Sequence, residues 1–214
     1  MGRLIAAVYD RLTRASEAAC LQQWRAELLR QLSGHVLEVG AGTGLNIPHF
    51  PPLSRLVLSE PDPHMRRKLS QKTRAQQWDQ AEVLGASIER LPFADDVFDA
   101  VVGTLVLCSV PQLDYALAEV YRVLKRGGRF VFLEHVAAED RPRRLKWQHR
   151  LEPFWKRLAG NCHLTRRTGK AIQEAGFTIV DIKRESMRKA WPLVRPTIRG
   201  VALKPAAVVQ PTSD

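Results

Sequence analysis

Two carboxylates bracket a run of three alternating glycines in this 214-residue chain. The stretch HVLEVGAGTGLN (His35–Asn46) carries Glu38 within a short apolar run, followed by Gly40, Gly42 and Gly44. A second carboxylate, Glu60, closes the next apolar run, RLVLSE at Arg55–Glu60. Glycines let backbone amides approach a ligand closely because no Cβ stands in the way. Neither phosphate motif fits. A dinucleotide fingerprint counted from Gly40 needs a glycine where Leu45 stands, and no lysine follows to complete a P-loop. A tight turn is one reading that remains. The other is the seat of a ligand with an ammonium group and a ribose diol: Glu60 could accept from both hydroxyls, and Glu38 could face the ammonium directly or through water.

Single residues add candidates of lower specificity. His135 ends the run RFVFLEH, where a side chain could line an acceptor site or act as a base. His163, beside Cys162, reads as a structural or exposed loop residue, and His64, at the start of a polar helix, as exposed or near the ligand's base. Cys108 reads first as a small buried hydrophobe. The three cysteines, Cys20, Cys108 and Cys162, are far apart and form neither CxxC nor a zinc spacing, so no metal and a reducing cytoplasm are expected. Trp147, Phe154 and Trp155 sit in a basic segment; packing of a helix, an apolar acceptor pocket and base stacking are the three uses open to them.

Charge is unevenly distributed. The net charge of +11 arises late: residues 1–140 hold 16 Lys+Arg against 17 Asp+Glu, and residues 141–204 hold 17 against 4. Such a segment can be a solvated face, a surface for an acidic partner, or a field over an active-site mouth. With 45% hydrophobic and 26% charged residues, the chain has an ordinary globular composition. No run approaches the roughly 18 apolar residues of a membrane span, and the opening MGRLIAAVYDRLTR is too short in apolar residues for a secretory signal.

The elements that must position these residues alternate. Residues 6–32 read as a helix stopped by Ser33-Gly34. Strands follow at HVLEVG, RLVLSE and AEVLGA, with the polar helix PHMRRKLSQKTRAQQW between the last two. The run FDAVVGTLVL (Phe98–Leu107) has buried-strand character, LDYALAEVYRVLK a helical stripe, and RFVFLEH another strand. RPRRLKWQHRLEPFWKRLAG reads as a helix interrupted at Pro153, followed by a helix at Thr168–Ala175 and strands at Phe177–Ile182 and Ile198–Lys204. The expectation is an α/β fold: a Rossmann-like, seven-stranded, mostly parallel sheet with helices on both faces and the last strand antiparallel. Ligands in such sheets bind beyond the carboxyl ends of the strands, where strand order reverses.

The chain resembles the class I S-adenosylmethionine-dependent methyltransferases over residues 33–204. VLEVGAGTG matches their first motif, SIERLPFADDVFDAVV the stretch before the fourth strand, and VYRVLKRGGRFVFLEH the helix, turn and strand after it. S-adenosylmethionine also carries the ammonium and ribose diol that the two carboxylates suit. The resemblance implies that Glu38, Gly40, Ala41, Gly42, Gly44 and Glu60 hold its methionine and ribose. It further implies that Pro61, Ser87 and Ile88 surround the adenine and that Thr104 lines the site. Ser87 stands where many relatives have an aspartate.

A narrower resemblance points to the acceptor. TLVLCSV (Thr104–Val110), LEHV (Leu133–Val136), EPFWK (Glu152–Lys156) and CHLTRRT (Cys162–Thr168) are similar to segments of the alkyl thiol S-methyltransferases. This implies methyl transfer to the sulfur of a small thiol by in-line displacement, with S-adenosylhomocysteine as product; the candidate catalytic residue, from its place at a strand end, is His135. The alternatives are a phosphatidylethanolamine N-methyltransferase or a quinone-precursor methyltransferase at the membrane surface. No apolar anchor like that of the membrane-bound relatives is read here, so a cytoplasmic protein with at most weak peripheral contact to anionic membrane is expected. No nucleic-acid partner is expected. The domains expected are an N-terminal helical segment or lid (residues 1–32), the methyltransferase domain (33–204) and a flexible tail (205–214).

Overall fold

A computed structural model describes residues 3–78 and 81–206. The expected tail lies, from residue 207, outside the described residues. Seven strands form one sheet: β1 (His35–Val39), β2 (Arg55–Ser59), β3 (Glu82–Leu84), β4 (Phe98–Thr104), β5 (Leu124–His135), β6 (Thr178–Ser186) and β7 (Pro196–Leu203). Their order is β3-β2-β1-β4-β5-β7-β6. Only β7 runs antiparallel, paired with β5 on one side and β6 on the other, as expected for two final strands without a crossover helix between them. At Gly200 the partner strand comes close: a Cβ there would meet the Asp181 carbonyl oxygen at 2.0 Å, so only glycine fits this bulged pairing.

The central strands are covered on both faces, which explains their unbroken apolar runs. Along β1 successive side chains alternate. Leu37 and Val39 join a core with Leu117 and Val120 of α4 (Leu113–Val123) and Ile172 of α6 (Thr168–Glu174). Val36 joins the opposite core with Leu69 of α3 (Pro63–Ala75) and Leu29 of α2 (Gln22–Leu29). Glu38 therefore points towards the α2 side, buried beneath that helix. Strand order reverses between β1 and β4, and the crevice at their carboxyl ends lies there.

Three expected elements differ. The N-terminal helix is not continuous: α1 (Arg3–Ser16) passes through a π turn at Glu17–Leu21 before α2 begins. The turn buries Glu17, Cys20 and Leu21, and Trp24 and Arg25 follow on the same buried side. Cys20, Leu21 and Trp24 pack with Leu133 and Met187, fixing the helix to the sheet. The strand expected to reach Leu107 stops at Thr104, and Leu105 takes a positive φ of 55°. The remaining apolar residues form a buried loop, which is viable only because a side chain satisfies its amides. The helix α5 (Pro142–Leu158) also runs straight through Pro153. That proline is exposed, so water can replace the single hydrogen bond it removes.

Candidate active site

A cavity of about 400 Å³ opens at the carboxyl ends of β1, β2 and β4, within the range of small-molecule sites. The glycine loop forms its floor. Gly40 has φ +63° and its missing Cβ would overlap Val106, whereas Gly42, at φ +58°, has only open space around its missing Cβ apart from the Gly40 oxygen at 4.0 Å. This loop can thus pack on the β4 loop at one glycine and present bare backbone at the next.

Glu60 stands at the rim of the same cavity. Its Oε2 accepts the Gly42 amide at 2.8 Å and its Oε1 the Asp62 amide at 2.9 Å. Each oxygen keeps a further lone pair for a ligand hydroxyl. Burial raises its pKa, while those two amides oppose the rise. Asp62 caps α3 by accepting from the amides of His64 and Met65, so the acidic end of β2 and the start of α3 are set by one turn.

Beneath the glycine loop lies a buried polar network that the sequence did not reveal. The Arg25 guanidinium donates to both Glu17 carboxylate oxygens at 3.0 and 3.2 Å. It also donates to Asn46 Oδ1 at 2.7 Å and to Thr104 Oγ1 at 3.0 Å. Asn46 in turn donates to Glu38 Oε1 at 2.8 Å and to Thr104 Oγ1 at 3.1 Å. Three segments far apart in sequence meet here: the helical N-terminus, the glycine loop and the end of β4. Thr43 adds a tie, its hydroxyl donating to Asp10 of α1 at 2.6 Å. The other Glu38 oxygen, Oε2, is buried without a protein partner. Burial pushes the Glu38 carboxyl up to about 7, against the pull of Asn46 and Arg25.

The opposite wall is organised by Glu134, also missed. Its Oε1 accepts the amides of Val106 and Leu107 at 2.9 and 3.0 Å, and its Oε2 that of Cys108 at 3.2 Å. The Arg166 guanidinium closes the same loop from the other side through the carbonyls of Leu107 and Val110. Asn161 donates to the Ser109 carbonyl at 3.0 Å. The result is an apolar wall of Leu105, Val106, Val110 and Pro111, with Ser109 and Gly160 beside it.

Of the site residues expected from the sequence, Gly40, Ala41, Gly42, Glu60, Pro61, Ser87, Ile88 and Thr104 line this cavity. Glu38 lies behind the cavity surface, in the polar network described, and Gly44 packs against Ile47 and Leu69. His135 is not part of the lining. It is 4% exposed and lies behind the wall, its Nε2 2.8 Å from Cys162 Sγ. The strand-end position was read correctly, but the loop folded over by Glu134 and Arg166 separates the ring from the cavity. His163 is structural, its Nδ1 3.1 Å from Glu152.

A sheet of this order, a glycine loop after β1 and a carboxylate after β2 define a class I methyltransferase, and comparisons with known proteins agree. The methyltransferase-domain family model matches residues 37–132. The chain is 40% identical over 171 residues to human thiol S-methyltransferase TMT1A, covering 79% of this chain and 70% of that protein. It is 35% identical over 194 residues to human thiol S-methyltransferase TMT1B, covering 86% and 80%. Among solved structures, a SAM-dependent methyltransferase from Thermotoga maritima has the same fold, with a TM-score of 0.68 at 18% identity over 94% of this chain and 97% of that one. The protein is a methyltransferase that uses S-adenosylmethionine, and it belongs to the thiol S-methyltransferase family. Among the described residues no helix is long and apolar enough to cross a membrane.

Proposed function

We propose that this protein methylates the sulfur of a small, largely apolar thiol. The observation that supports this most is its kinship with enzymes named for thiol methylation, together with an apolar wall facing the glycine loop across one cavity. S-adenosylmethionine fits the donor set on the cofactor side. The Glu60 oxygens have lone pairs left for a ribose diol. Gly42 presents bare backbone, and Glu38 Oε2 is a buried acceptor left without a partner, suited to a cationic group directly or through water. Ser87 and Ile88 border the adenine end in this reading.

The cofactor supplies a methyl group already activated by a positive sulfur. The protein's part is therefore alignment and exclusion of water more than acid–base chemistry. The rigid loop after β4 fixes the acceptor's approach, and its apolar side chains keep water from competing. Even a cysteine-like thiol, with a reference pKa near 8.5, is a few per cent thiolate at neutral pH without a dedicated base, and a less acidic alkyl thiol is less so. In this reading His135 is not the base, and α1 and α2 are a fixed wall of the site, with Arg25 on the cavity surface, in place of a mobile lid.

A second, compatible reading concerns α5. Trp147, Phe154 and Leu158 are exposed on it, Trp191 stacks on Trp155 with ring centroids 5.5 Å apart, and Arg143, Lys146, Arg150 and Arg157 are exposed among them. Basic residues with exposed aromatics suit the surface of an anionic bilayer, where each cation adds roughly 1 kcal/mol. The helix ends beside Gly160 of the cavity, so apolar thiols dissolved in the membrane would be delivered near the site.

Three outcomes are expected. Incubated with labelled S-adenosylmethionine and an alkyl thiol, the protein forms the methyl thioether, with a rate that rises up to about tenfold between pH 7 and 8 and levels near the thiol pKa. Label on phosphatidylethanolamine instead of the thiol would refute the assignment. Glu60→Ala weakens S-adenosylhomocysteine binding at least about tenfold, the loss of one charge-assisted hydrogen bond or more; unchanged affinity in calorimetry would remove Glu60 from the cofactor site. The protein co-sediments with phosphatidylserine vesicles and is released by about 1 M salt, where charges are screened beyond roughly 3 Å. Failure to sediment at low salt would contradict the membrane reading.

A further inference from the structure

Behind the acceptor wall lies a cluster that methyl transfer does not use. Cys108, His135 and Cys162 are 3%, 4% and 9% exposed, and their three ligand atoms lie within 4.8 Å of one another. They come from three separate segments: the loop after β4, the end of β5 and the loop after α5. The residues are 27 apart in each step along the chain, a spacing no local metal motif contains. The buried imidazole has only one of its two nitrogens partnered. Its Nδ1 has no partner, and its Nε2 faces only the Cys162 sulfur at 2.8 Å.

The geometry points to a zinc-class metal site, with Cys108 Sγ, His135 Nε2 and Cys162 Sγ as its ligands. Zinc–sulfur bonds near 2.3 Å and zinc–nitrogen bonds near 2.0 Å place tetrahedral ligand atoms about 3.5–3.8 Å apart. The present spacing reaches that arrangement by side-chain shifts of about 1 Å. Two thiolates and one imidazole are soft, borderline ligands that suit zinc and disfavour calcium or magnesium. The fourth position is left to a non-protein ligand, since the described residues offer only three ligands.

Such an ion would act on the acceptor wall. Cys108 precedes Ser109 and Cys162 follows Gly160 by two residues, and both Ser109 and Gly160 line the cavity. The two loops are already joined by the His163 amide on the Cys108 carbonyl at 2.8 Å. Metal would lock them to β5 and fix the shape of the acceptor end. This inference does not depend on which acceptor is methylated, because its test reads metal and not turnover.

Metal analysis of the full chain, purified without chelator under reducing conditions, is expected to find one zinc per chain. Competition with a chromogenic chelator should give a dissociation constant of about 10 nM or below, and Cys162→Ser should weaken it about a hundredfold or more. If that variant does not fold, cobalt added to the zinc-stripped wild-type protein decides the matter. Intense tetrahedral d–d bands with near-ultraviolet thiolate-to-cobalt charge transfer are expected. Absence of zinc together with no uptake of added zinc against the chelator, no thiolate–cobalt band, or a Cys108–Cys162 disulfide persisting in the folded protein purified under those reducing conditions would each overturn the site.

Discussion

One buried guanidinium holds the glycine-loop side of this protein's cavity together. Arg25 would be a severe liability in an apolar interior without partners, since a lone buried charge is destabilising by several kcal/mol. Here it is satisfied from three directions: Glu17 on its own helical segment, Asn46 behind the glycine loop, and Thr104 at the end of β4. Removing any of these partners would leave a buried charge or dipole unmet, so the three segments are held in one register. The π turn at Glu17–Leu21 belongs to the same requirement, because it brings Glu17 and Arg25 to one buried side. The N-terminal helices are thereby tied to the glycine loop and the end of β4.

A parallel device fixes the acceptor side. Glu134 supplies two carboxylate oxygens to three successive backbone amides, doing for the loop after β4 what a neighbouring strand would do. Arg166 serves the carbonyls of the same loop. An apolar chain segment can thus leave the sheet, take the positive φ at Leu105 and stay buried as a wall. The two halves of the cavity are held in the same way, by a buried charge, Arg25 or Glu134, bonded to several segments at once. Methyl transfer, which needs alignment more than proton movement, suits such a frame.

Much of this was legible in the sequence. Apolar runs with a period-two or unbroken pattern gave the strands, and the missing crossover helix gave the antiparallel β7. The glycine loop and Glu60, picked out after the phosphate motifs failed, do border one cavity, and Glu38 lies just behind it. What escaped were buried polar residues whose partners lie far along the chain. Arg25 looks like any arginine in a helix rich in Gln, Arg and Glu, and nothing local marks Asn46 or Glu134 as acceptors or donors to a distant loop. Asn46 closed the glycine stretch and Glu134 preceded His135, so position was the one available signal. His135 was drawn to the cavity by its place at a strand end, and the β4 loop folding across it could not be foreseen from an apolar run. The pairing of Cys108 with Cys162 was hidden likewise, because spacing rules register only neighbours.

The network under the glycine loop leaves one Glu38 oxygen without a partner, the acceptor we propose for the cofactor's cation. The most direct test is calorimetric titration of S-adenosylhomocysteine, which retains the ammonium group, between pH 5.5 and 8.5. Burial holds the free carboxyl at about 7, and a bound cation lowers that value. Affinity of the native protein should therefore rise as pH climbs to about 7 and level above it, by about tenfold for each unit that the carboxyl is displaced. Glu38→Gln should bind more weakly above pH 7 and lose the slope below it. Parallel pH profiles of equal affinity in the two proteins would contradict the account.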